Sequence, residues 1–127
     1  MKITIIVEKA TDGSFSCYMK EDIPSVGLFG YGDTAEDAKN DLLESYKEIK
    51  EMNISVPELD FTFQYDLQSF FDYFNMINVS KLAEKAGINA SLLRQYRIGK
   101  KKASENQYLK LKECVHSLGD DLLRATF

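Results

Sequence analysis

Between Lys81 and Lys102 the sequence concentrates positive charge in a way that could hold phosphate groups. The stretch contains seven basic side chains and one acidic side chain, Glu84, so its net charge is +6. The seven are Lys81, Lys85, Arg94, Arg97, Lys100, Lys101 and Lys102. A local cluster of cations on a chain of net charge −4 is the pattern that a nucleic-acid backbone selects. An ordinary solvated helix surface has a similar composition, so charge alone leaves both interpretations open.

The same stretch holds side chains of the types that read base edges in DNA. Glutamine forms paired hydrogen bonds with adenine, arginine does so with guanine, and alanine contacts the methyl group of thymine. The candidate base-reading residues are Ala90, Ser91, Arg94 and Gln95. The candidate phosphate-binding residues are Ser80, Lys81, Arg97, Lys100, Lys101 and Lys102. These assignments predict double-stranded DNA as a partner.

Two short helices would position these residues. The predicted helices cover 81–86 and 90–97, the predicted N-terminal caps are Ser80 and Asn89, and the predicted terminating glycines are Gly87 and Gly99. Glycine ends helices well because it enters the left-handed conformation without steric cost. The side chains expected on the inner side are Leu82, Ala83, Ile88, Leu93 and Tyr96. The base-reading residues would then be exposed, together with Leu92, whose apolar side chain has no explanation there.

This segment resembles the helix-turn-helix of the lambda-repressor and Cro-like family. The resemblance covers roughly residues 67–118, and its matching positions are Leu82-Ala83, Ala86-Gly87-Ile88, Asn89 and Tyr96 to Gly99. The sequence departs from the family at Arg97, where glutamate is frequent. The resemblance implies that helix 90–97 enters the major groove. We expect a homodimer or higher oligomer, in which two recognition helices meet successive major grooves.

The first half of the chain has a different charge and a different periodicity. Residues 1–65 carry 13 acidic and 6 basic side chains, a net charge of −7. Strands are predicted over 2–8, 14–20, 26–31 and 59–65, and a helix capped by Thr34 between the last two, with Ala35, Ala38, Leu42, Tyr46 and Ile49 on its inner side. An acidic domain repels nucleic acid and attracts a basic partner, although acidity also serves solubility alone.

The stretch Gly32-Asp33-Thr34-Ala35-Glu36-Asp37-Ala38, after strands and before a long helix, resembles the HicB antitoxin family. The resemblance implies a partial RNase H-like βββαβ domain that neutralises a small mRNA-cleaving toxin, HicA. It also implies that a C-terminal DNA-binding module represses the protein's own operon. The sequence departs from the family before the third strand, where a proline-rich approach is reduced to Ile23-Pro24-Ser25.

The remaining apolar stripes predict further helices around the motif. One helix would follow the cap Asp66, with a stripe of Leu67, Phe70, Phe71, Phe74 and Ile77. Another would follow a capping box of Ser104 and Gln107, with Tyr108, Leu111, Val115, Leu118 and, if it continues through Gly119, Leu122 on one face. The predicted fold is therefore α+β, with a βββαβ domain over 1–65 and an all-α helix-turn-helix bundle over 66–127. The two resemblances imply that the first domain binds a toxin or partner and that the second binds DNA.

Other functions find little support in the sequence. Carboxylates that could hold metal ions for nucleic-acid cleavage are Glu8, Asp12, Glu21 and Asp22, but their predicted turn, loop and surface positions favour solvated groups, and we expect no enzyme activity. The single histidine, His116, should be exposed, and Cys114 beside it is too little for a metal site, so we expect no metal and no cofactor. Cys17 and Cys114 are expected as thiols.

The short apolar stretch 3–7 predicts neither a membrane helix nor an export signal, so we expect a cytoplasmic location. The alternative functions are an orphan regulator without a toxin partner and a protein-interaction module.

Overall fold

The computed structural model describes residues 1–24, 26–52 and 55–127. Within them the chain forms two compact units, Met1–Tyr73 and Phe74–Phe127. The first contains a four-stranded mixed sheet and two helices, and the second contains three helices. The α+β class is thereby confirmed. None of the helices within the described residues is long and apolar enough to cross a membrane.

The first unit follows the predicted βββαβ order. Its elements are β1 Lys2–Lys9, β2 Phe15–Met19, β3 Phe29–Gly32, α1 Ala35–Met52 and β4 Asp60–Tyr65. The strands are ordered β3-β2-β1-β4, with β1 antiparallel to β2, β2 antiparallel to β3, and β4 parallel to β1. The third strand is shorter than predicted, because Val26 forms only an isolated bridge with Ile23. Ser25, the last residue of the Ile23-Pro24-Ser25 departure, lies outside the described residues.

Helix α1 covers one face of the sheet, as its periodicity predicted. The Thr34 hydroxyl accepts a hydrogen bond from the backbone N–H of Asp37 and caps the helix. Ala38 and Leu42 are fully buried in the core, and Ala35, Tyr46 and Ile49 pack against it. The Tyr46 hydroxyl bonds to the backbone on both sides of Glu58, since it donates to the carbonyl of Pro57 and accepts from the N–H of Leu59. These bonds fasten α1 to the entry of β4.

Two glycines of β3 allow α1 to approach the sheet closely. A Cβ atom added at Gly30 would lie 2.1 Å from the carbonyl oxygen of Ala38, and one added at Gly32 would lie 2.5 Å from the Cβ of Asp37. Real Cβ atoms do not come this close to such neighbours. The glycines are therefore required by the packing of α1 on β3.

The helix after β4, α2 at Leu67–Tyr73, is where the structure differs most from prediction. Asp66 caps it by accepting from the N–H and hydroxyl of Ser69. It ends at Tyr73, so Phe74 and Ile77 do not continue its stripe. Its Phe71 is buried, α2 contacts β1, and Tyr73 meets the ring of Phe15 edge to face. The division between units therefore lies after Tyr73, whereas the predicted boundary lay after Tyr65.

The second unit contains three helices instead of the predicted four: α3 Val79–Ala86, α4 Ala90–Arg97 and α5 Glu105–Arg124. Ser104 caps α5 by accepting from the N–H of Gln107. The reciprocal bond of the predicted capping box is not formed, since Gln107 Oε1 is buried without a hydrogen-bond partner. Helix α5 continues through Gly119, and His116 is exposed as predicted.

Candidate nucleic-acid interface

Helix α3 begins two residues earlier than the sequence suggested. Its N-cap is Asn78, whose side-chain oxygen accepts a hydrogen bond from the N–H of Lys81 at 3.0 Å. The predicted cap, Ser80, instead lies inside the first turn of the helix. Asparagine and serine are both good caps, so residue type did not decide between two candidates that lie two positions apart.

The connection between α3 and α4 is fixed by backbone hydrogen bonds. Gly87 is left-handed, with φ of 72°, as predicted. Its N–H donates to the carbonyl of Glu84, and the N–H of Ile88 donates to the carbonyl of Ala83 at 3.0 Å. This pair of bonds is the Schellman arrangement, which closes a helix and reverses the chain. Asn89 then caps α4 at once by accepting from the N–H of Leu92.

The inner side of the helix pair is the one predicted. All five side chains expected there are buried, with exposed fractions of 6% or less: Leu82, Ala83, Ile88, Leu93 and Tyr96. Ile88 immediately before the cap and Leu93 in the first turn occupy the two positions of a hydrophobic staple, which fixes the entry angle of α4. The buried side of α4 thereby determines which residues remain on its outer side.

The predicted base-reading residues lie on α4 with different degrees of exposure. Ser91 and Arg94 are exposed, whereas Ala90 and Gln95 are half-buried. Leu92, expected to be exposed, is also half-buried. Part of its apolar surface is therefore removed from water, and this partial burial is a physical reason for an apolar residue at this position.

The C-terminal end of α4 holds the lysine run in place. Gly99 has φ of 76°, its N–H donates to the carbonyl of Tyr96, and the N–H of Lys100 donates to the carbonyl of Gln95 at 2.9 Å. This is a second Schellman arrangement, and the N–H of Lys101 donates to the same Gln95 carbonyl. Cations near a helix C-terminus also interact favourably with the helix dipole. These hydrogen bonds therefore fix the backbone of Lys100 and Lys101 relative to α4.

The predicted phosphate-binding residues are all exposed: Ser80, Lys81, Arg97, Lys100, Lys101 and Lys102. In the part of the chain that the structure describes, none of the seven cations of residues 81–102 forms an ion pair within 4.0 Å. The second unit as a whole has ten basic and five acidic side chains, a net charge of +5, against −9 for the first. Positive charge is available to an anionic partner on this unit.

Ser80 and Arg94 form a direct contact that the sequence reasoning missed. The Ser80 hydroxyl accepts a hydrogen bond from Arg94 Nη2 at 3.0 Å, and both residues are exposed. The contact joins the first turn of α3 to the middle of α4. No sequence pattern marks a pair separated by 14 residues; only the packed geometry of the two helices brings them together. The bond restrains the guanidinium, which retains further N–H groups to donate elsewhere.

Two of the carboxylates considered for cleavage chemistry have local structural roles. Asp12 accepts from the N–H and hydroxyl of Ser14, and these bonds lower the pKa of the Asp12 carboxyl. Glu21 accepts from the N–H of Thr4. Among residues 1–24, 26–52 and 55–127, no three or more His, Cys, Asp or Glu side chains are grouped to hold a metal ion. Cys17 is buried and Cys114 half-buried, and both are free thiols.

Compared with protein-family models, with curated proteins and with solved structures, the chain has no match. The functional assignment therefore depends on the geometry and chemistry of its own residues.

Proposed function

We propose that this protein is a sequence-specific DNA-binding transcriptional regulator in which α3 and α4 form a helix-turn-helix. The observation that carries the proposal is the division of α4 into two sides. Leu93 and Tyr96 are buried on one side, while Ser91 and Arg94 are exposed on the other. A helix held in this way presents a short row of polar side chains to a groove.

Each residue type has a defined task in this proposal. Arg94 donates to the O6 and N7 atoms of guanine, and Gln95 pairs with adenine through its amide. Ser91 contacts either base, and Ala90 lies against a thymine methyl group. The cations around them neutralise phosphates, which gives affinity without sequence preference. In this proposal the protein binds DNA in the cytoplasm and catalyses no reaction.

The regulator acts as a homodimer. One eight-residue helix reads few bases, and two recognition helices in successive major grooves must be about 34–36 Å apart. The operator is then a pseudo-palindrome with half-sites about 10 base pairs apart.

The first unit binds a partner of opposite charge. Its net charge of −9 disfavours contact with DNA and favours a small basic protein. The order of a βββαβ unit before a DNA-binding unit is the one implied by the resemblance to HicB antitoxins. The proposed role is therefore that of the antitoxin in a HicA/HicB-type pair, which neutralises an mRNA-cleaving toxin and represses its own operon.

The test measures binding of the full chain to the DNA upstream of its own coding sequence by gel shift. Arg94→Ala and Gln95→Ala should each cost about 1 to 3 kcal/mol on that DNA, because each removes a base contact, and should relax base preference at one position. Lys101→Ala should instead weaken binding to specific and unrelated DNA alike and make binding less dependent on salt. Lys112→Ala, which changes an exposed lysine of α5 outside residues 81–102, is the matched control.

Equal affinity of all four variants for the upstream DNA would refute the assignment of α4 as a recognition helix. Absence of any shift at low salt would refute DNA binding itself and favour a protein-interaction module.

A further inference from the structure

Three aromatic side chains form an exposed surface on the first unit, here named the β2–β3 aromatic surface: Tyr18, Phe29 and Tyr31. Their exposed fractions are 37%, 57% and 53%. Gly30 and Gly32 face α1, so the alternation of β3 directs Phe29 and Tyr31 to the opposite face of the sheet. Tyr18 is paired with Phe29 across the strands and lies on the same face.

Contiguous exposed aromatic groups indicate a binding surface more often than isolated ones do. Single exposed apolar residues are ordinary, whereas neighbouring large ones mark contact sites. Ile6 of β1 is half-buried and is paired with Tyr18 of β2, so it extends the same row toward the centre of the sheet. Tyrosine and phenylalanine supply much contact area with few rotatable bonds, which is why they dominate interface energetics.

The face of β3 is better suited to a binding partner than its edge. β3 is an edge strand, and such strands offer unpaired backbone groups to other chains. Here the N–H of Tyr31 already donates to Asp41 Oδ2 of α1 at 2.9 Å. The close packing of α1 on Gly30 and Gly32 keeps that carboxylate beside the edge. Pairing with a further strand would have to break this bond.

Charge selects the kind of partner. Glu8 lies on the same face and is paired with Ser16, which in turn is paired with Tyr31. Glu21, bonded to the N–H of Thr4, and Asp33, directly after β3, add two further negative charges, and Lys20 adds one positive charge. An aromatic surface with an acidic border attracts a basic protein. It repels nucleic acid and also a second copy of this unit, whose own net charge is −9.

We infer that the β2–β3 aromatic surface is the docking site for the basic protein partner of the first unit, with Phe29 and Tyr31 as its apolar anchors. This inference rests on the partner-binding part of the proposed function and specifies the surface that performs it. The acidic border steers the partner and sets the salt dependence, while the aromatic anchors hold it.

The experiment uses the tagged full chain to isolate bound proteins from the source cells, followed by an affinity measurement with the purified basic protein identified by mass. The test variant is Phe29→Thr with Tyr31→Thr, because threonine keeps strand propensity while removing both rings. The matched control is Leu43→Ala, an apolar side chain of 39% exposure on α1. A second variant, Glu8→Gln with Asp33→Asn, removes charge and leaves the rings. Poly-L-lysine binding to all forms measures purely electrostatic attraction.

We expect the double threonine variant to bind the basic protein roughly 30-fold more weakly, since truncated interface anchors typically lose at least that factor. Leu43→Ala should bind as the parent does. The charge variant should bind more weakly at low salt and approach the parent at high salt. Poly-L-lysine should bind the parent and the threonine variant alike.

Undiminished binding of the basic protein by the threonine variant would overturn the assignment of this surface and leave partner binding intact. Recovery of no basic protein by any form would overturn partner binding together with the surface, whereas the DNA-binding result is obtained separately by gel shift. A variant that unfolds at the same temperature as the parent is folded, so its weaker binding is due to the lost side chains. If the threonine variant is unfolded, the charge variant provides the test: a salt dependence of binding equal to that of the parent would overturn the proposal.

Discussion

The substitution Gly30→Ala probes the contact that supports both the first unit and its aromatic surface. The added Cβ would lie 2.1 Å from the carbonyl oxygen of Ala38, 2.7 Å from the nitrogen of Leu42 and 2.8 Å from its Cβ. Two of these atoms are backbone and the third is fixed to it, so no side chain can rotate away. Helix α1 would have to move outward to restore ordinary contact at about 3.4 Å or more.

The expected cost follows from this geometry. Overpacking a tight interior typically costs 1 to 3 kcal/mol, and the backbone character of the clash puts this case near about 3 kcal/mol. Alanine also reduces the freedom of the unfolded chain, which returns roughly 0.4 to 1 kcal/mol. A net loss of about 2 kcal/mol in the free energy of unfolding remains. For a urea slope of about 1 to 2 kcal/mol per molar, the unfolding midpoint should fall by roughly 1 to 2 M.

The assay is urea unfolding followed by the backbone amide signals of β1 to β4 in NMR, with those of α3 to α5 as an internal reference. Gly27→Ala is the matched control, since a Cβ there would have nothing within 4 Å. Its midpoint should change by an amount equivalent to about 0.5 kcal/mol or less. If the two variants unfold at the same urea concentration, the close approach of α1 to β3 is wrong. The positions of Phe29 and Tyr31 would then need revision as well.

Three further perturbations test other parts of the structure. Gly119→Ala should raise the free energy of unfolding of the second unit by about 0.5 to 1 kcal/mol, because it lies inside α5 with nothing within 4 Å of an added Cβ; lower stability in thermal unfolding would contradict this. Asn89→Ala should lower the stability of the same unit by about 1 kcal/mol, since it removes the cap of α4, and an unchanged melting temperature would contradict the cap. Burial raises the pKa of the Cys17 thiol from 9.0 to about 11, partly offset by the charge of Lys39. Because the thiol ionises at lower pH in the unfolded chain, the free energy of unfolding of the first unit should fall as pH rises from about 9 to about 11. Unfolding measured at about pH 9 and at about pH 11 checks this, and Cys17→Ala should lack that part of the pH dependence.

Local patterns predicted the helix pair well because each signal there is strong and short in range. Gly87 and Asn89 each have a conformational reason for their positions, and the predicted inner residues Leu82 and Leu93 are buried. The order of strands and helix in the first unit followed equally well from alternation and caps. In these parts, neighbouring residues contain most of the information that the fold uses.

Prediction was less successful where two local solutions compete or where distant residues decide. The apolar stripe from Leu67 to Ile77 is compatible with a longer helix in the second unit, but Phe71 packs with the first unit and the helix stops at Tyr73. Asn78 and Ser80 can both cap α3, and the Ser80–Arg94 bond exists only after α3 and α4 have packed. The aromatic surface likewise depends on the register of β2 and β3.

The two left-handed glycines on either side of α4 affect how the sequence of this segment can change in evolution. A helix of eight residues is too short to be stable alone in water, so α4 depends on its buried side and on Gly87 and Gly99 at its borders. The outward positions contribute little to that framework. Ser91 and Arg94 can therefore be replaced with little effect on folding, so the outward row of α4 can vary on an unchanged scaffold.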